Sequence, residues 1–111
     1  MKRYLFCFII ILLLSGCSDP VGGEVFFNHI DEMEQALDQQ EWNMITQYVE
    51  DFKKIYKDEQ WKLQLLGDEE EYEGLYRSIN NLVAAVKEED SVNLRMELAT
   101  SRTILEQIYS V

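Results

Sequence analysis

The sequence has few of the residues that interrupt regular backbone structure. It contains one proline and five glycines in 111 residues, and beyond residue 25 the glycines are Gly67 and Gly74. No stretch alternates apolar and polar residues with the period of two that marks a half-buried strand. These absences argue against a β-sheet fold and predict an all-α protein.

Side chains that carry nucleophilic or metal chemistry are also scarce. His29 is the one histidine, and no second histidine or cysteine follows at metal-ligand spacing, so we expect it to face solvent or to lie at the rim of the core rather than to bind a metal. Gly22-Gly23 does not join a strand to a helix and therefore is not a phosphate-binding loop. We expect no catalytic residue, no metal and no enzymatic activity.

Long apolar runs are missing too. The longest run, Tyr4 to Leu14, has 11 residues, which is fewer than the roughly 20 that a membrane-spanning helix requires. It follows the basic pair Lys2-Arg3 and precedes the small residues Ser15-Gly16. This order predicts a removable signal peptide at residues 1–16 rather than a spanning helix.

The residues Leu14-Ser15-Gly16-Cys17 resemble the lipobox of bacterial lipoproteins. The resemblance implies that the chain is cut between Gly16 and Cys17 and that the Cys17 thiol receives a diacylglyceryl group. Two acyl chains suffice for stable anchoring, since each buried CH₂ contributes about 0.8 kcal/mol. We expect the protein to bind the lipid bilayer through this covalent lipid on Cys17, and we expect no other cofactor.

The two cysteines are both accounted for by this assignment. Cys7 leaves with the signal peptide and Cys17 carries the lipid, so disulfides, thiolate metal sites and cysteine nucleophiles are excluded from the mature protein. Residues 17–25 are then the lipidated cysteine and a flexible tether that contains the only proline. Residues 26–111 are predicted to form one helical domain.

Positive charge is in short supply. The full chain has 10 basic and 21 acidic residues, and removal of residues 1–16, which hold two of the basic ones, leaves a mature net charge of −13. A field of this sign repels phosphates, so we expect no nucleic-acid partner and repulsion from anionic lipid headgroups.

From Phe26 onward, apolar residues recur every three or four positions, as on one face of a helix. The predicted stripes are Phe26, Ile30, Met33 and Leu37 in helix one, Trp42, Ile45, Val49, Phe52 and Tyr56 in helix two, Tyr72, Leu75, Ile79, Leu82 and Val86 in helix three, and Leu94, Leu98, Ser101, Leu105 and Ile108 in helix four. Helix two either continues to Leu63 and Leu66 or breaks near Asp58.

Capping residues mark the predicted helix ends. Asp38 and Glu41 can form a capping box between helices one and two. Gly67 suits the left-handed residue that follows a helix, and Asp68 suits the next N-cap. We interpret the acidic run from Asp68 to Glu71 as a helix start rather than a calcium or basic-partner site, because it lacks the spacing and central glycine of a calcium loop.

A shift of 49 residues aligns the apolar positions of the two halves, for example Ile30 with Ile79 and Val49 with Leu98. Each half thus resembles one helix-turn-helix unit with the same turn length. The predicted architecture is a four-helix bundle of two antiparallel hairpins, with a two-unit tetratricopeptide-like stack as the alternative. A stack would leave a concave groove that a bundle lacks.

Aromatic residues are numerous, and most lie on the predicted core stripes. Trp61, Tyr48 and Tyr76 lie off those stripes. If exposed together, they form the candidate patch for a protein partner, because aromatic residues are enriched at interface cores.

Three segments carry a resemblance to a bacterial family. They are Ala36 to Trp42, Lys53 to Trp61 and Ala85 to Asp90, and they resemble the domain-of-unknown-function family 4363, short membrane-anchored proteins mostly of endospore-forming Gram-positive bacteria. Many of its members have an uncleaved apolar anchor, from which this lipobox departs. The family has no established activity, and the resemblance implies the outer leaflet of a single cytoplasmic membrane.

We therefore expect a lipid-anchored, extracytoplasmic lipoprotein that acts as a non-catalytic interaction or envelope accessory module for an envelope protein. The alternative is a small-ligand or cation carrier that uses a groove between the two hairpins.

Overall fold

The structure, a computed structural model, describes residues 23–110 of the chain. These residues form four α-helices and no strand. The helices are α1 (Gly23–Asp38), α2 (Trp42–Leu66), α3 (Glu69–Lys87) and α4 (Ser91–Ile108). The all-α prediction is confirmed.

The four helices close into a ring. α1 packs against α2 and α4, and α3 also packs against α2 and α4. Connections of two or three residues make consecutive helices antiparallel. A two-unit stack would pair the equivalent helices α1 and α3 instead of α1 and α4. The contact between α1 and α4 therefore confirms the closed bundle and excludes the open stack with its concave groove.

The predicted stripes form the core of this bundle. Burying one large apolar side chain stabilises the fold by about 1.5–3 kcal/mol, and each helix supplies several. The buried members of the predicted stripes are Phe26, Ile30, Met33, Leu37, Ile45, Val49, Phe52, Tyr56, Leu75, Ile79, Leu82, Val86, Leu94, Leu98, Ser101, Leu105 and Ile108. Trp42 and Tyr72 pack against the edge of the core and are half-buried.

Helix α1 includes three residues that the sequence assigned to the tether. Gly23, Glu24 and Val25 are helical, so the predicted boundary between residues 25 and 26 is wrong. The physical reason is packing at this end of the bundle: Gly23 is buried close to the ring of Tyr109, and the Phe26 ring meets Phe52 edge-on at 5.7 Å. The remainder of the predicted tether, with Cys17, lies outside the described residues.

Helix α2 runs without a break from Trp42 to Leu66. The possible interruption near Asp58 is therefore absent. Leu63 is fully buried, whereas Leu66 is exposed. The core stripe of α2 thus continues for two turns beyond Tyr56 and ends before the last residue of the helix.

The turn between α1 and α2 is closed by backbone hydrogen bonds. The Gln40 N–H donates to the Leu37 carbonyl at 3.0 Å, and the Glu41 N–H donates to the Ala36 carbonyl at 3.0 Å, as in a Schellman motif. Glu41 is the N-cap of α2 but makes no side-chain capping bond. The predicted Asp38–Glu41 capping box is therefore wrong, because this turn satisfies its polar groups through the backbone.

The turn between α3 and α4 repeats this geometry 49 residues later. The equivalent bonds are Glu89 N–H to Val86 carbonyl at 3.1 Å and Asp90 N–H to Ala85 carbonyl at 2.9 Å. The equal turn length predicted from the internal alignment is confirmed. Aligned apolar positions such as Ile30 and Ile79 are buried alike, so the two hairpins are built on one plan.

The third turn, between α2 and α3, differs from these two. Gly67 has extended backbone, with φ −108° and ψ 166°, so its predicted left-handed conformation is wrong. Asp68 is the N-cap of α3, as predicted, and forms a capping box with Glu71. Their two bonds are 2.8 and 2.9 Å long.

Ion pairs tie the second hairpin to the first along the contact between α1 and α4. Arg102 bonds to Asp31 and lies 3.3 Å from Glu34, and Arg95 lies 2.9 Å from Asp38. The hydrogen bond to Asp31 is the main cause that raises the Arg102 pKa. These contacts are exposed or half-exposed, so each contributes at most about 1 kcal/mol to stability. Their main effect is on the alignment of α4 along α1.

Candidate functional site

The three aromatic residues of the predicted patch lie on different parts of the surface. Tyr48 and Trp61 are 13 residues apart on α2, which separates them by about 20 Å along the axis and by roughly 220° around it. Tyr76 lies on α3. Among residues 23–110, no aromatic contact joins any two of the three. Tyr48 and Trp61 therefore lie on different sides of α2.

Tyr48 lies between α1 and α2 at the rim of the core. Its ring meets the His29 ring edge-on, with 6.3 Å between centroids, and both side chains are half-buried. The predicted position of His29 at the rim of the core is confirmed. Since the two rings cover each other, this pair supports the packing of α1 on α2.

Tyr76 belongs to a cluster of tyrosines between α2 and α3. Its ring lies 5.8 Å from the Tyr56 ring, and the Tyr56 hydroxyl donates to the Tyr72 carbonyl at 3.4 Å. Burial is the main cause that raises the pKa of Tyr56. Tyr76 therefore shields the edge of the core, although its outer side is exposed.

Trp61 is the most exposed member of the predicted patch, slightly ahead of Tyr76 at 54 %. Its side chain is 59 % exposed, and the Lys62 ammonium lies 5.4 Å from the ring centroid. Leu65, one turn further along α2, is 76 % exposed. Trp61 and Leu65 thus place two exposed apolar side chains on the same side of α2.

A second apolar surface lies on the outer side of α4, where no candidate was predicted. Val92 and Met96 are 70 % and 61 % exposed, and with Ala99 they line a shallow, almost entirely apolar depression of about 370 Å³. We call this surface the α4 face (Val92, Met96 and Ala99). Its residues recur at intervals of four and three off the core stripe, a signal that a search restricted to aromatic residues misses.

The buried polar groups of the second hairpin form a structural network. The Ser78 hydroxyl lies 2.8 Å from the Ser101 hydroxyl and donates to Glu97 Oε2 at 2.8 Å, while the Asn81 amide donates to Glu97 Oε1 at 3.2 Å. Ser78 and Ser101 are buried, so neither hydroxyl is open to a substrate. Because each partner is satisfied, the network holds α3 against α4.

The acidic residues that open α3 have a structural role in the first turn. Asp68 and Glu71 bond to each other's backbone N–H, and Glu69 and Glu70 lie at the positive end of the helix dipole. Within residues 23–110, no group of three or more His, Cys, Asp or Glu side chains is arranged to hold a metal ion. The N-cap and the capping box confirm that the acidic run starts a helix.

The predicted lipid attachment site, with the cleavage between Gly16 and Cys17, lies outside the described residues. None of the helices between residues 23 and 110 is both long and apolar enough to cross a membrane. The six Cα–Cα steps from Cys17 to Gly23 span at most about 20 Å when fully extended. Any anchor on Cys17 therefore keeps the first described turn of α1 within that distance of the bilayer.

A comparison with known proteins identified a family match in the N-terminal segment. Residues 1–18 match the family model of the prokaryotic membrane lipoprotein lipid attachment site. Neither the search of curated proteins nor that of solved structures gave a significant match. The resemblance of the helical part to family 4363 stays a prediction. The match at residues 1–18 supports a bacterial lipoprotein that is associated with the membrane through a lipid anchor.

Proposed function

We propose that the protein is a non-catalytic interaction module, anchored through Cys17 to the outer leaflet of a Gram-positive cytoplasmic membrane, which presents its helical bundle to an envelope protein. The observation that carries the proposal is the exposed α4 face. Val92 and Met96 both leave most of their apolar surface in water, although the four stripes of the bundle already supply its core.

The surroundings of the α4 face resemble the anatomy of a protein interface. The depression is almost entirely apolar, although Ser91 and Arg95 are among its lining residues, and Arg95 lies 2.9 Å from Asp38. Protein interfaces also combine apolar surface with polar residues. Methionine adapts its shape to a partner more readily than other apolar residues.

The position of the α4 face suits a partner in the envelope. α4 begins at the end of the bundle opposite to Gly23, and the lipid site precedes Gly23 in the chain. Val92 is 16 residues before Ile108, so it lies about 24 Å from the end of the bundle at which the anchor enters. A protein can reach this surface without entering the headgroup region.

The alternative of a small-ligand or cation carrier has less support. Its groove was predicted between the hairpins, where side chains such as Phe52, Leu82 and Leu105 now fill the core. The depression beside Asn81 and Glu97 lies on the outside of the second hairpin and is lined by alanine, asparagine and acidic residues. We favour the interaction module because its candidate surface is apolar and preformed.

Site-specific photo-cross-linking in cells tests the proposed function. A benzoylphenylalanine at Val92 should form a discrete adduct with one envelope protein, and the same probe at the exposed Asn80 on α3 should not. Met96→Asp should abolish the adduct without lowering the melting temperature, since Met96 is exposed. An adduct that forms equally from Asn80, or that survives Met96→Asp, would refute the assignment of this surface.

A further inference from the structure

The last two turns of α2 expose three large apolar side chains. Trp61, Leu65 and Leu66 are 59 %, 76 % and 41 % exposed. Trp61 and Leu65 are four residues apart and therefore lie on the same side of the helix. Leu63, between them in the chain, is fully buried and fixes the orientation of the helix. We call the three exposed residues the α2 tip (Trp61, Leu65 and Leu66).

Helix α2 carries half of the basic residues of the described chain, together with the acidic residues Glu50, Asp51, Asp58 and Glu59. Four of the eight basic residues between positions 23 and 110 lie in α2, namely Lys53, Lys54, Lys57 and Lys62. Lys54 and Lys57 are exposed, and no ion pair involves either of them among the described residues. Lysines beside an exposed tryptophan and leucines are typical of helices that lie in a membrane interface.

The α2 tip lies at the end of the bundle where the anchor enters. α1 and α2 are antiparallel, so the end of α1 at Asp38 is level with the start of α2 at Trp42. Gly23 is 15 residues before Asp38 and is therefore level with the residue 15 positions after Trp42. That residue is Lys57. The remaining residues of α2, up to Leu66, extend about 14 Å beyond Gly23.

The length of the chain before Gly23 limits the distance between the α2 tip and the bilayer. From the lipid site at Cys17 to Gly23, six Cα–Cα steps span at most about 20 Å. α2 covers about 14 Å of that distance when the bundle stands upright. Leu66 is then within about 6 Å of the headgroups and Trp61, five residues earlier, within about 14 Å, and a tilt toward α2 brings both closer.

We infer that the α2 tip inserts into the headgroup region of the same phospholipid bilayer that holds the lipid on Cys17, so that the bundle has two points of attachment. Trp61 and the two leucines contact the acyl boundary, while Lys57 reaches back to lipid phosphates; Lys62 is paired with Glu59 at 3.3 Å and stays beside the Trp61 ring. This inference goes beyond the interaction module and does not depend on the α4 face.

The overall negative charge does not oppose this contact decisively. Asp68 to Glu71 lie at the same end and repel anionic lipids, which is the repulsion predicted from net charge. Asp68 and Glu71 direct one carboxylate oxygen each to a backbone N–H at the start of α3. Insertion therefore depends on the apolar residues, and a zwitterionic phosphatidylcholine surface is the appropriate probe.

The two tryptophans of the chain supply the test and its control. The full lipidated protein is reconstituted into phosphatidylcholine vesicles with or without brominated acyl chains, as Trp42→Phe, which leaves Trp61, and as Trp61→Phe, which leaves Trp42. Trp42 lies about 29 Å from Trp61 along α2. Interfacial helices enter the bilayer surface by only about 5–10 Å, so Trp42 stays outside the lipid. We expect brominated lipid to quench Trp61 and leave Trp42 unaffected.

A charged substitution in the α2 tip completes the test. Leu65→Glu in the Trp42→Phe background should remove most of the quenching of Trp61, while the protein stays vesicle-bound through Cys17 and keeps its helical circular dichroism. Val92→Glu on α4 should leave the quenching unchanged. If Trp61 is not quenched, or if Trp42 is quenched as strongly, the inference is wrong, and a protein partner or a second copy of the chain becomes the occupant of the α2 tip.

Discussion

Gln40 and Glu89 lie 49 residues apart and adopt the same left-handed backbone conformation, with φ of 54° and 49°. Each is the residue at which the backbone reverses between the helices of one hairpin. Glycine is the usual residue in this conformation, because a side chain crowds the following carbonyl there. Both turns therefore hold a residue that strains the backbone.

Replacement of these residues by glycine should stabilise the bundle. The left-handed conformation costs about 1–2 kcal/mol for a residue with a Cβ, and part of this gain is offset by the greater freedom of glycine in the unfolded chain. We expect Gln40→Gly and Glu89→Gly each to raise the free energy of unfolding by about 0.5–1 kcal/mol. Urea denaturation followed by circular dichroism measures the change.

The neighbouring positions provide the control for this prediction. Gln39 and Glu88 do not have positive φ, so glycine there adds only freedom to the unfolded chain. Gln39→Gly and Glu88→Gly should be neutral or destabilising. If glycine stabilises positions 39 and 40 equally, the left-handed strain is not the cause.

These turns show where local sequence stops being informative. The stripe from Phe26 to Leu37 and its counterparts were predictable because burial follows from the spacing of apolar residues in one helix. The left-handed residues were not, since Gln40 has no local preference for that conformation and the hairpin packing imposes it. Gly67 has the local preference but is extended.

The sequence identified some residues of the candidate surfaces and missed others. Trp61 was identified from its position off the stripe, and its exposure agrees with that interpretation. Tyr76 shares the same sequence signal and is also exposed, whereas Tyr48 is half-buried beside His29. Which off-stripe residue stays exposed depends on the order of helices around the ring, and Met96 is exposed because it faces outward from that ring.

Gly67 and Gly74 should respond to alanine with opposite signs. A Cβ at Gly67 would lie 2.9 Å from Ile108 Cγ1 and 3.3 Å from the Leu63 carbonyl, whereas at Gly74 the nearest atom is Ile104 Cδ1 at 3.5 Å. Gly67→Ala should destabilise the bundle by about 1–3 kcal/mol through overpacking. Gly74→Ala, inside α3, should stabilise it by about 0.5–1 kcal/mol.

Thermal unfolding of the two variants checks this pair. We expect the melting temperature of Gly67→Ala to fall and that of Gly74→Ala to rise. For a domain of this size, 1 kcal/mol corresponds to about 4–8 °C. A Gly67→Ala protein as stable as the wild type would contradict the close approach of α4 to this turn.

The capping box at the start of α3 should contribute to stability through Asp68. Its carboxylate accepts from the Glu71 N–H at 2.8 Å, and loss of such an N-cap costs about 1 kcal/mol. Asp68→Ala should therefore lower the free energy of unfolding by about that amount in urea denaturation. Glu41→Ala is the matched control and should have little effect, because the Glu41 N-cap makes no side-chain capping bond. Equal losses from the two variants would argue against the capping box.

Tyr109 should make the stability of the bundle fall at alkaline pH. Burial, followed by the charge of Glu59, raises the pKa of Tyr109 from its ordinary 10.0 to about 12. Between these values the unfolded chain loses the phenol proton and the folded chain keeps it. The contribution is therefore fully present below about pH 10 and is lost as the pH rises toward 12, by at most about 1.4 kcal/mol per pH unit. Because Tyr109 is only half-buried, we expect a smaller slope.

Tyr109→Phe isolates this contribution, since phenylalanine keeps the ring and cannot ionise. The Tyr109 hydroxyl has no hydrogen-bond partner among residues 23–110, so the variant should be as stable as the wild type, or more stable, near neutral pH. Urea denaturation at about pH 7 and about pH 11 should show a smaller alkaline loss in Tyr109→Phe than in the wild type. The raised pKa of Tyr56 affects both proteins equally and cancels in this comparison. Identical alkaline losses in the two proteins would mean that Tyr109 ionises as readily in the folded bundle as in the unfolded chain, and so that its ring does not lie in the protected position beside Phe26 and Gly23.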